Sequence, residues 1–382
     1  MPLKIVIAPD SYKGSLSAKE AGLAIERGVL RAGIGNFTTS VIPMADGGEG
    51  TLECLMESSK GRMVRAVVKD PLGRDISAVF GILGDGRTGI IEMAKSSGLY
   101  LLEESERNPL LTSTYGFGQL IAAALDEGCR HFILGLGGSA TNDGGAGMLQ
   151  ALGVELHDSG GRPLPAGAGG GALGEVAGIT ADRLDRRLAG CTFTLACDVT
   201  NPFTGPRGAS AVFGPQKGAA PDMVDRLESN LARFADVIRE ATGTALHRLP
   251  GTGAAGGLAG GILAFLNARL EPGFSIVSAV TGLEAAVKGA DLVLTGEGRT
   301  DAQTAGGKTP AGVAGLAAKH GVPAVVLAGS VGEGIEELYG QGVTAVFSLV
   351  NGPMSLEEAM RRTPELLEQT AEQVMRVFAV RK

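Results

Sequence analysis

Apolar residues follow the same rhythm at both ends of the chain: a short continuous run, then a stripe at helical spacing. Near the N-terminus the run KIVIAP predicts a strand, and residues 37–42 predict a second one. Between them Ser17 and Glu20 fit a capping box, S-x-x-E, which predicts where a helix begins. Alternating strands and helices, with nearly continuous apolar strands, indicate a parallel sheet covered on both faces. Near the C-terminus the same alternation predicts strands at 291–295, 323–328 and 344–349, and helices near 310–319, 334–340 and 364–379.

The middle of the chain has a different pattern. The alternating runs MVRAVV and DISAVFGI predict a hairpin, and residues 222–242 carry one apolar stripe that predicts a long helix. A chain of 382 residues is also long for a single core. We therefore predict a sheet domain formed by residues 1–70 and 283–382, and an inserted mixed α+β domain at 71–282. The functional site is expected in the cleft between them.

Composition narrows the class of protein. The chain is 44% apolar and 20% charged, as soluble globular proteins are, and a net charge of −7 without a basic tract argues against a nucleic-acid partner. Residues 249–268 carry no charge over a length that would span a bilayer, but their glycines and Pro250 predict a loop that leads into a buried helix. The first apolar run is too short for a signal peptide, and the four cysteines fit no metal or disulfide pattern. We expect a cytoplasmic protein without a membrane span.

Polar, glycine-rich loops follow five of the predicted strands, and each loop contains an acidic residue. In doubly wound sheets, ligands bind at the loops that follow the carboxyl ends of the strands. Five such loops are more than turn formation requires, so we expect a binding site there. Their candidate residues are Asp10, Ser11, Lys13, Asp46, Ser139, Thr141, Asn142, Asp143, Asp198, Glu297, Arg299, Asp301 and Lys308.

The stretch GLGGSATNDGGAG, residues 135–147, has the most glycine of these loops. Glycine lets backbone N–H groups converge on an anion, and a helix beginning near Asn142 would add its positive end. Asp143 would then hold a divalent cation that neutralises phosphate charge. The alternative is a tight strand–helix turn capped by Asn142 or Asp143. If the loop binds phosphate, the contacts are expected from Gly137, Gly138, Ser139, Thr141 and Asn142.

The segment AQTAGGKTP approaches a Walker A motif without matching it. Gly307, Lys308 and Thr309 fit the motif, but Ala302 stands where its first glycine belongs, and the preceding strand is predicted to end too early. We therefore exclude a P-loop fold. Thr309 as N-cap and Pro310 as the first helical residue still predict a helix that begins beside Lys308, which would bind phosphate there. The alternative is that Lys308 is an exposed loop lysine.

Charged residues in two loops are candidates for metal or substrate binding. Glu297 and Asp301 lie four residues apart, and two nearby carboxylates suit Mg²⁺ or a general base. The alternative for this pair is a solvated loop with a salt bridge to Arg299. Lys13 would pair with a carboxylate or phosphate of the substrate, or be an ordinary surface lysine.

Seven segments in fixed order span nearly the whole chain: APDSYKGSLSAKEA, PMADGGEGT, GLGGSATNDGGAGML, CDVTNP, FGPQKGA, GTGAAGGLAGG and DLVLTGEGRTDAQTAGGKTPAGVA. Together they resemble the signatures of the bacterial glycerate kinase family, type I. The resemblance implies an α/β fold with a flavodoxin-like parallel sheet domain built from both termini and an inserted mixed α+β domain. It also implies phosphorylation of D-glycerate by ATP with Mg²⁺, usually giving 2-phosphoglycerate.

That activity suggests roles for the loop residues. Phosphoryl transfer requires mostly positioning and charge neutralisation. We expect the 135–147 loop, Gly307 and Lys308 to hold ATP, and Asp198, favoured over Asp46, to accept the hydroxyl proton. Substrate binding is expected at Ser11, Lys13 and Arg299. Binding of Mg²⁺ is expected at Asp143, Glu297 and Asp301.

Other functions remain open from the sequence. They are phosphorylation at the 3-hydroxyl or of another small hydroxy acid, a phosphatase or dehydrogenase activity, and a non-catalytic nucleotide-binding role. The loop DSYKGS lacks the G-x-G-x-x-G turn of a dinucleotide binder, which disfavours a dehydrogenase. The chain is expected to act on small molecules as a monomer or homodimer.

Overall fold

The computed structural model of the chain describes residues 2–33, 36–48 and 50–379. Its strands are β1 (Leu3–Ile7), β2 (Phe37–Val41), β3 (Arg62–Lys69), β4 (Asp75–Ile82), β5 (Thr88–Glu92), β6 (His131–Gly135), β7 (Glu155–His157), β8 (Gly178–Thr180), β9 (Thr192–Ala196), β10 (Ala268–Glu271), β11 (Leu292–Thr300), β12 (Ala324–Val331) and β13 (Val343–Ser348). Its helices are α1 (Ala18–Arg31), α2 (Thr51–Ser59), α3 (Ala94–Ser97), α4 (Tyr115–Asp126), α5 (Ala146–Ala151), α6 (Ala209–Phe213), α7 (Pro221–Thr242), α8 (Leu258–Phe265), α9 (Gly273–Thr281), α10 (Leu283–Val287), α11 (Ala302–Ala305), α12 (Thr309–Lys319), α13 (Glu336–Gly340), α14 (Leu356–Arg361) and α15 (Thr363–Ala379).

The predicted elements at both ends of the chain are confirmed, and so is the long helix α7 in the middle. The capping box at the start of α1 is present in full. The Glu20 amide donates to Ser17 Oγ at 3.2 Å, and the Ser17 amide donates to a Glu20 carboxylate oxygen at 2.9 Å. Each bond satisfies an amide that the first helical turn would otherwise leave without a partner.

The described residues form two compact units. Both boundaries fall earlier in the chain than the sequence predicted. On the N-terminal side the reason is β3, which pairs antiparallel with β4 along its whole length and so belongs to the second unit. The alternation of one hairpin strand does not say which of two sheets it joins. Within the described ranges, the first unit comprises residues 1–46, 53–59 and 274–382, and the second comprises 47–52 and 60–273.

The first unit contains a five-stranded sheet in the order β13-β12-β11-β1-β2, with every pair parallel. Numbered along the chain within this unit, the order is 2-1-3-4-5, which is the flavodoxin-like arrangement. The predicted fold class is therefore confirmed. The strand order reverses between β1 and β11, and in such sheets the ligand-binding crevice lies outside the carboxyl ends of the strands at this switch point.

Strand β11 is longer than the apolar run predicts. It continues through the polar residues GEGRT to Thr300, because these residues pair with β12, as Arg299 does with Ser330. A strand that continues after its apolar run ends cannot be read from hydrophobicity alone. Part of the segment expected to be a loop is therefore held on the sheet.

Helices α1 and α15 pack against each other beside this sheet, and Gly28 makes their close approach possible. A Cβ placed on Gly28 would lie 2.3 Å from the backbone oxygen of Glu368 on α15, closer than real Cβ atoms come. Ile25 and Val29 of α1 and Leu367 of α15 are fully buried in the same core. A larger residue at position 28 would therefore separate the two helices.

The second unit contains a six-stranded sheet in the order β10-β9-β6-β5-β4-β3. The pairs from β10 to β5 are parallel, and β5, β4 and β3 pair antiparallel. Phe132 of β6 and Phe193 of β9 stack at its centre, with their ring centroids 4.7 Å apart. Strands β7 and β8 form a separate antiparallel pair.

The uncharged stretch at 249–268 folds as the sequence predicts. Glycine-rich turns lead into α8, whose first residues, Leu258 to Ile262, are buried in the core of the second unit. In the described part of the chain no helix is long and apolar enough to cross a membrane.

Candidate active site

Two carboxylates lie at the switch point of the first unit. Asp10 follows β1, is half-buried, and accepts hydrogen bonds from Thr309 Oγ1 at 2.6 Å and from the Ser11 amide at 2.6 Å. Burial raises the pKa of Asp10 to about 6, the bond from Thr309 opposes the rise, and repulsion from Asp46 adds to it. From the sequence, Asp10 was a candidate residue of the loop after the first strand, without an assigned role.

Glu297 is the second carboxylate and lies inside β11. Its side chain is 8% exposed and accepts from two hydroxyl groups, Thr304 Oγ1 at 2.6 Å and Thr300 Oγ1 at 3.3 Å. Burial raises the pKa of Glu297 to about 7; the Lys308 charge opposes the rise and the Asp10 charge adds to it. The charge of this carboxylate is therefore poorly compensated by the protein itself.

Asp301 lies close by in sequence but serves a different purpose. Its Oδ1 accepts from the Gln303 amide at 2.9 Å and so caps the short helix α11. Its Oδ2 accepts from Arg299 Nε at 2.9 Å, and this arginine bond is the main cause that lowers the pKa of Asp301. The salt bridge that the sequence left as an alternative is what the structure contains. In this structure Arg299 therefore already holds one oxygen of Asp301, and the assignment of Asp301 to the metal and of Arg299 to the substrate stays a prediction.

Lys308 lies at the start of α12, which runs for eleven residues from Thr309. The predicted helix is present, but the N-cap is Lys308 and not Thr309, because the Thr309 hydroxyl donates to Asp10 instead of capping the helix. Gly307 before it has φ +109°, a backbone conformation that favours glycine. Lys308 is half-buried. In the loop after β1, Lys13 is exposed and Ser11 is half-buried.

The carboxylates of Asp10 and Glu297 suit a cation that takes the rest of its ligands from a bound substrate. Within residues 2–33, 36–48 and 50–379, no three His, Cys, Asp or Glu side chains are grouped to hold a metal ion. Mg²⁺ commonly binds to one or two carboxylates and to substrate phosphates. Repulsion from Asp46 contributes to the raised pKa of Asp10, and the Asp10 charge contributes to the raised pKa of Glu297; a bound cation reverses this effect. The donor set therefore fits Mg²⁺ held together with a polyphosphate.

The 135–147 loop of the second unit follows β6 and has an exposed end and a buried end. Gly137 and Gly138 are exposed, and Ser139 is half-buried. Thr141, Asn142 and Asp143 are 0% exposed. The following helix α5 begins at Ala146, with Gly145 as its N-cap, so the predicted start near Asn142 was wrong. The three buried residues hold the loop in the unit and leave ligand contact to its glycine end.

Asp143 is the centre of the buried end. Its carboxylate accepts from the amides of Thr114, Gly145 and Gly147 at 2.8, 3.2 and 3.2 Å. It also accepts from the hydroxyls of Thr114 at 2.8 Å and Ser113 at 3.4 Å. Burial raises its pKa, and these bonds oppose the rise. Asp143 is thus an internal anchor, which departs from the expectation that it binds a cation.

The two residues before Asp143 are anchored as well. The Asn142 amide nitrogen donates to Ser210 Oγ at 3.0 Å, and Lys217 Nζ donates to the Thr141 backbone oxygen at 2.7 Å. Lys217 is 1% exposed, and burial lowers its pKa to about 7, while the charge of Asp143 opposes the fall. The expected contacts of the Thr141 and Asn142 side chains with phosphate are therefore not supported by their positions. The sequence showed Lys217 only as a letter within FGPQKGA, because burial of a lysine leaves no local pattern.

A cavity of about 290 Å³ adjoins the exposed end of the loop, at the carboxyl ends of β5 and β6. Glu92, the last residue of β5, accepts from the Leu52 amide at 2.9 Å and lies 3.4 Å from Lys95 Nζ. Gly138 has φ +71°, so a side chain would be strained there. Glu92 and Lys95 were not predicted as site residues, because no local sequence pattern marks them. The cavity is lined by Gly47, Gly48, Glu92, Ala94, Lys95, Tyr100, Gly135, Gly137 and Gly138.

The two candidates for the proton acceptor differ in surroundings. Asp198 follows β9, is exposed, and accepts from the Gly273 amide at 3.1 Å in the second unit. Asp46 is half-buried in the first unit, where it lies near enough to Asp10 to affect its pKa. Both stay candidates on this geometry.

Comparison with known proteins gives a consistent result. The family model described as "Glycerate kinase family" matches residues 5–379. A protein of Bacillus subtilis (strain 168) named glycerate kinase is 50% identical over 372 residues, which is 97% of each chain. A protein of Escherichia coli (strain K12) named glycerate 2-kinase is 46% identical over 359 residues, 94% of this chain and 93% of that one. Among solved structures, a crystal structure of a protein from Salmonella typhimurium LT2, provisionally named glycerate kinase 2, is similar with a TM-score of 0.88 and 46% identity; the match covers 99% of this chain and 98% of that one.

Proposed function

The chain belongs to the glycerate kinase family, and we propose that it transfers the γ-phosphoryl group of ATP to D-glycerate, giving ADP and 2-phosphoglycerate. The observation that supports this proposal most is the gathering of Asp10, Glu297 and Lys308 at the flavodoxin-like switch point. The Escherichia coli relative, named glycerate 2-kinase, supports the choice of the 2-hydroxyl.

The first unit would bind phosphate and its counter-ion. Lys308, at the positive end of α12, would contact phosphate oxygens, with Gly307 giving the backbone room to approach. Asp10 and Glu297 would hold Mg²⁺, with Thr309 and Thr304 fixing the direction in which each carboxylate points. When bound, Mg²⁺ neutralises charge on the phosphates. These residues thus supply the positioning that phosphoryl transfer requires.

The exposed end of the 135–147 loop would contribute a second set of contacts. Gly137, Gly138 and Ser139 offer backbone amides and one hydroxyl beside the cavity of the second unit. Glycine amides bind anions well because no side chain blocks the approach. We assign these residues to the phosphates of ATP.

The acceptor is small, so few side chains need to contact it. The exposed Lys13 would pair with the glycerate carboxylate, and Ser11 would donate a hydrogen bond. Asp198, or failing that Asp46, would accept the proton of the attacking hydroxyl. We propose the cytoplasm as the compartment, which fits four cysteines that are free thiols.

A coupled assay of ADP release tests the activity. The protein with MgATP should release ADP only when D-glycerate is added. Release that does not depend on the acceptor would indicate a phosphatase-like hydrolase, and no release at all would leave a nucleotide-binding role. Either result would contradict the proposal. Repeating the assay with other small hydroxy acids tests the choice of acceptor.

A further inference from the structure

An almost completely buried lysine lies beside the buried end of the 135–147 loop. Lys217 is 1% exposed, in the segment between α6 and α7, and 76 positions from the residue that it holds. Its ammonium group donates to the backbone oxygen of Thr141 at 2.7 Å. The Thr141 hydroxyl is buried without a hydrogen-bond partner, so this residue is held through its main chain.

The charge that faces Lys217 is Asp143, which is also fully buried. Asp143 in turn fixes the backbone on its other side, because it accepts from the amides of Gly145 and Gly147. One positive and one negative group therefore hold the loop from Thr141 to Gly147. Asn142 between them is fixed to Ser210.

Burying an ammonium and a carboxylate is unfavourable unless each is paired and hydrogen-bonded. Apolar side chains of similar volume would fill the same space with less desolvation, so packing alone does not account for the pair. What an apolar pair would not supply is a fixed position for the Thr141 carbonyl. That carbonyl is two residues from Ser139, where the part of the loop assigned to ATP ends. Because the chain between them is so short, a displacement of the Thr141 carbonyl would also displace Gly137 and Gly138.

We propose that Lys217 is a positioning residue for nucleotide binding, which sets the path of Gly137–Ser139 by holding the Thr141 carbonyl and balancing the charge of Asp143. This inference rests on the proposed function, because it takes the ligand of the loop to be ATP. Lys217 itself does not contact the nucleotide. Its effect should appear in the affinity for ATP before it appears in the KM for D-glycerate.

The test measures MgATP binding to the full chain by equilibrium dialysis, together with the KM for each substrate. Lys217→Met keeps the apolar stem and removes both the charge and the donor. We expect it to raise the Kd for MgATP about tenfold or more, with a smaller change in the KM for D-glycerate. Lys217→Gln keeps a donor without the charge and should have an intermediate Kd.

Asn230→Leu is the matched control. Asn230 is 8% exposed in the same unit and donates to the backbone oxygens of Gly170 and Gly171 at 2.9 and 3.1 Å. It therefore anchors a second glycine-rich segment, which approaches the 135–147 loop at the Asn142 backbone oxygen and not at the Thr141 carbonyl that Lys217 holds. We expect this variant to melt at a lower temperature with an unchanged Kd for MgATP.

A folded Lys217→Met that binds MgATP as the wild type does would overturn the inference. If that variant does not fold, the same result for Lys217→Gln would overturn it. If neither folds, Lys217 serves the stability of the whole unit, and the inference is wrong as well. A wild-type chain that binds no MgATP would instead refute the proposed function.

Discussion

Each unit of the molecule contains a buried carboxylate with a lysine nearby, and the two pairs differ in kind. In the second unit, Asp143 accepts from three backbone amides and two hydroxyls, and Lys217 beside it is buried too. In the first unit, Glu297 accepts from two hydroxyls, and Lys308 is half-buried at a helix start. The pair of Asp143 and Lys217 is closed to solvent. The pair of Glu297 and Lys308 lies at the switch point, where ligands bind.

This difference teaches how to tell an anchor from a ligand. Asp143 has a structural role because three backbone amides donate to it, and its removal would leave those donors without partners. The hydroxyl groups that donate to Glu297 tie it less firmly to a structural role, because each hydroxyl can turn to another acceptor and none carries a charge. The sequence presents both residues as acids in glycine-rich segments, so only the donors around them separate the two roles.

The largest effect is expected at a third kind of carboxylate, the exposed Asp198. If it is the general base, Asp198→Asn should lower kcat by about 10²–10⁴-fold. Asp46→Asn, measured in parallel, should have the smaller effect on kcat. A near-normal kcat for Asp198→Asn would remove it as the base, and a large loss in Asp46→Asn alone would transfer the role there.

Replacement of Asp143, the buried carboxylate of the second unit, should lower the stability of the protein. Asp143→Ala leaves buried donors without their acceptor and removes the charge that balances Lys217, which should lower the free energy of unfolding by about 3–5 kcal/mol. Thermal melting measures the change. Asp158→Ala is the control, because Asp158 makes similar bonds, to the Gly160 and Arg162 amides, in an exposed turn. Similar melting temperatures for the two variants would mean that Asp143 is not an anchor.

Removal of the lysine beside Glu297 should act on activity. Lys308→Ala should lower kcat at saturating ATP by roughly 10²–10³-fold, by analogy with the loss of a donor that stabilises transition-state charge. Lys319→Ala is matched to it, because Lys319 lies at the other end of α12, is exposed, and pairs with Glu284. An unchanged kcat in Lys308→Ala would exclude Lys308 from the mechanism and weaken the contrast between the two pairs.

The smallest effect is one of pH on stability. The pKa of Glu297 is about 7 in the folded protein, against an ordinary value of 4.5, so the folded state holds this proton more tightly than the unfolded chain. The wild type should therefore lose stability relative to Glu297→Gln as the pH rises from about 4.5 to about 7. The full shift would correspond to about 3 kcal/mol at most.

Urea unfolding in EDTA at pH 5 and pH 8 measures this effect. Glu297→Gln should be more stable than the wild type at pH 8, and the difference should shrink at pH 5. An equal difference at both values would show that Glu297 is ionised in the folded protein at pH 5 already, as a well-compensated anchor would be.

Most helices and strands could be predicted from the sequence because the patterns that predict them are local. The capping box of Ser17 and Glu20 is formed within four residues, and strands such as β1 and β12 are apolar runs. The extension of β11 and the membership of β3 were missed, because each depends on a partner strand distant in sequence.

The loops that form the candidate site could be predicted from the sequence, but the contacts of their side chains could not. Glycines 137, 138 and 307 occupy conformations or exposed positions that suit their expected role. The burial of Asp143, the bond from Thr309 to Asp10 and the position of Lys217 all come from contacts between distant segments. Only the folded chain brings these residues together.

The measurement that tests the central claim most directly is ³¹P NMR of the reaction of the protein with MgATP and D-glycerate. The account predicts that the γ-phosphate signal falls while signals of ADP and 2-phosphoglycerate rise together. Appearance of 3-phosphoglycerate would contradict the assignment of the 2-hydroxyl. Appearance of inorganic phosphate alone would contradict phosphoryl transfer to glycerate altogether.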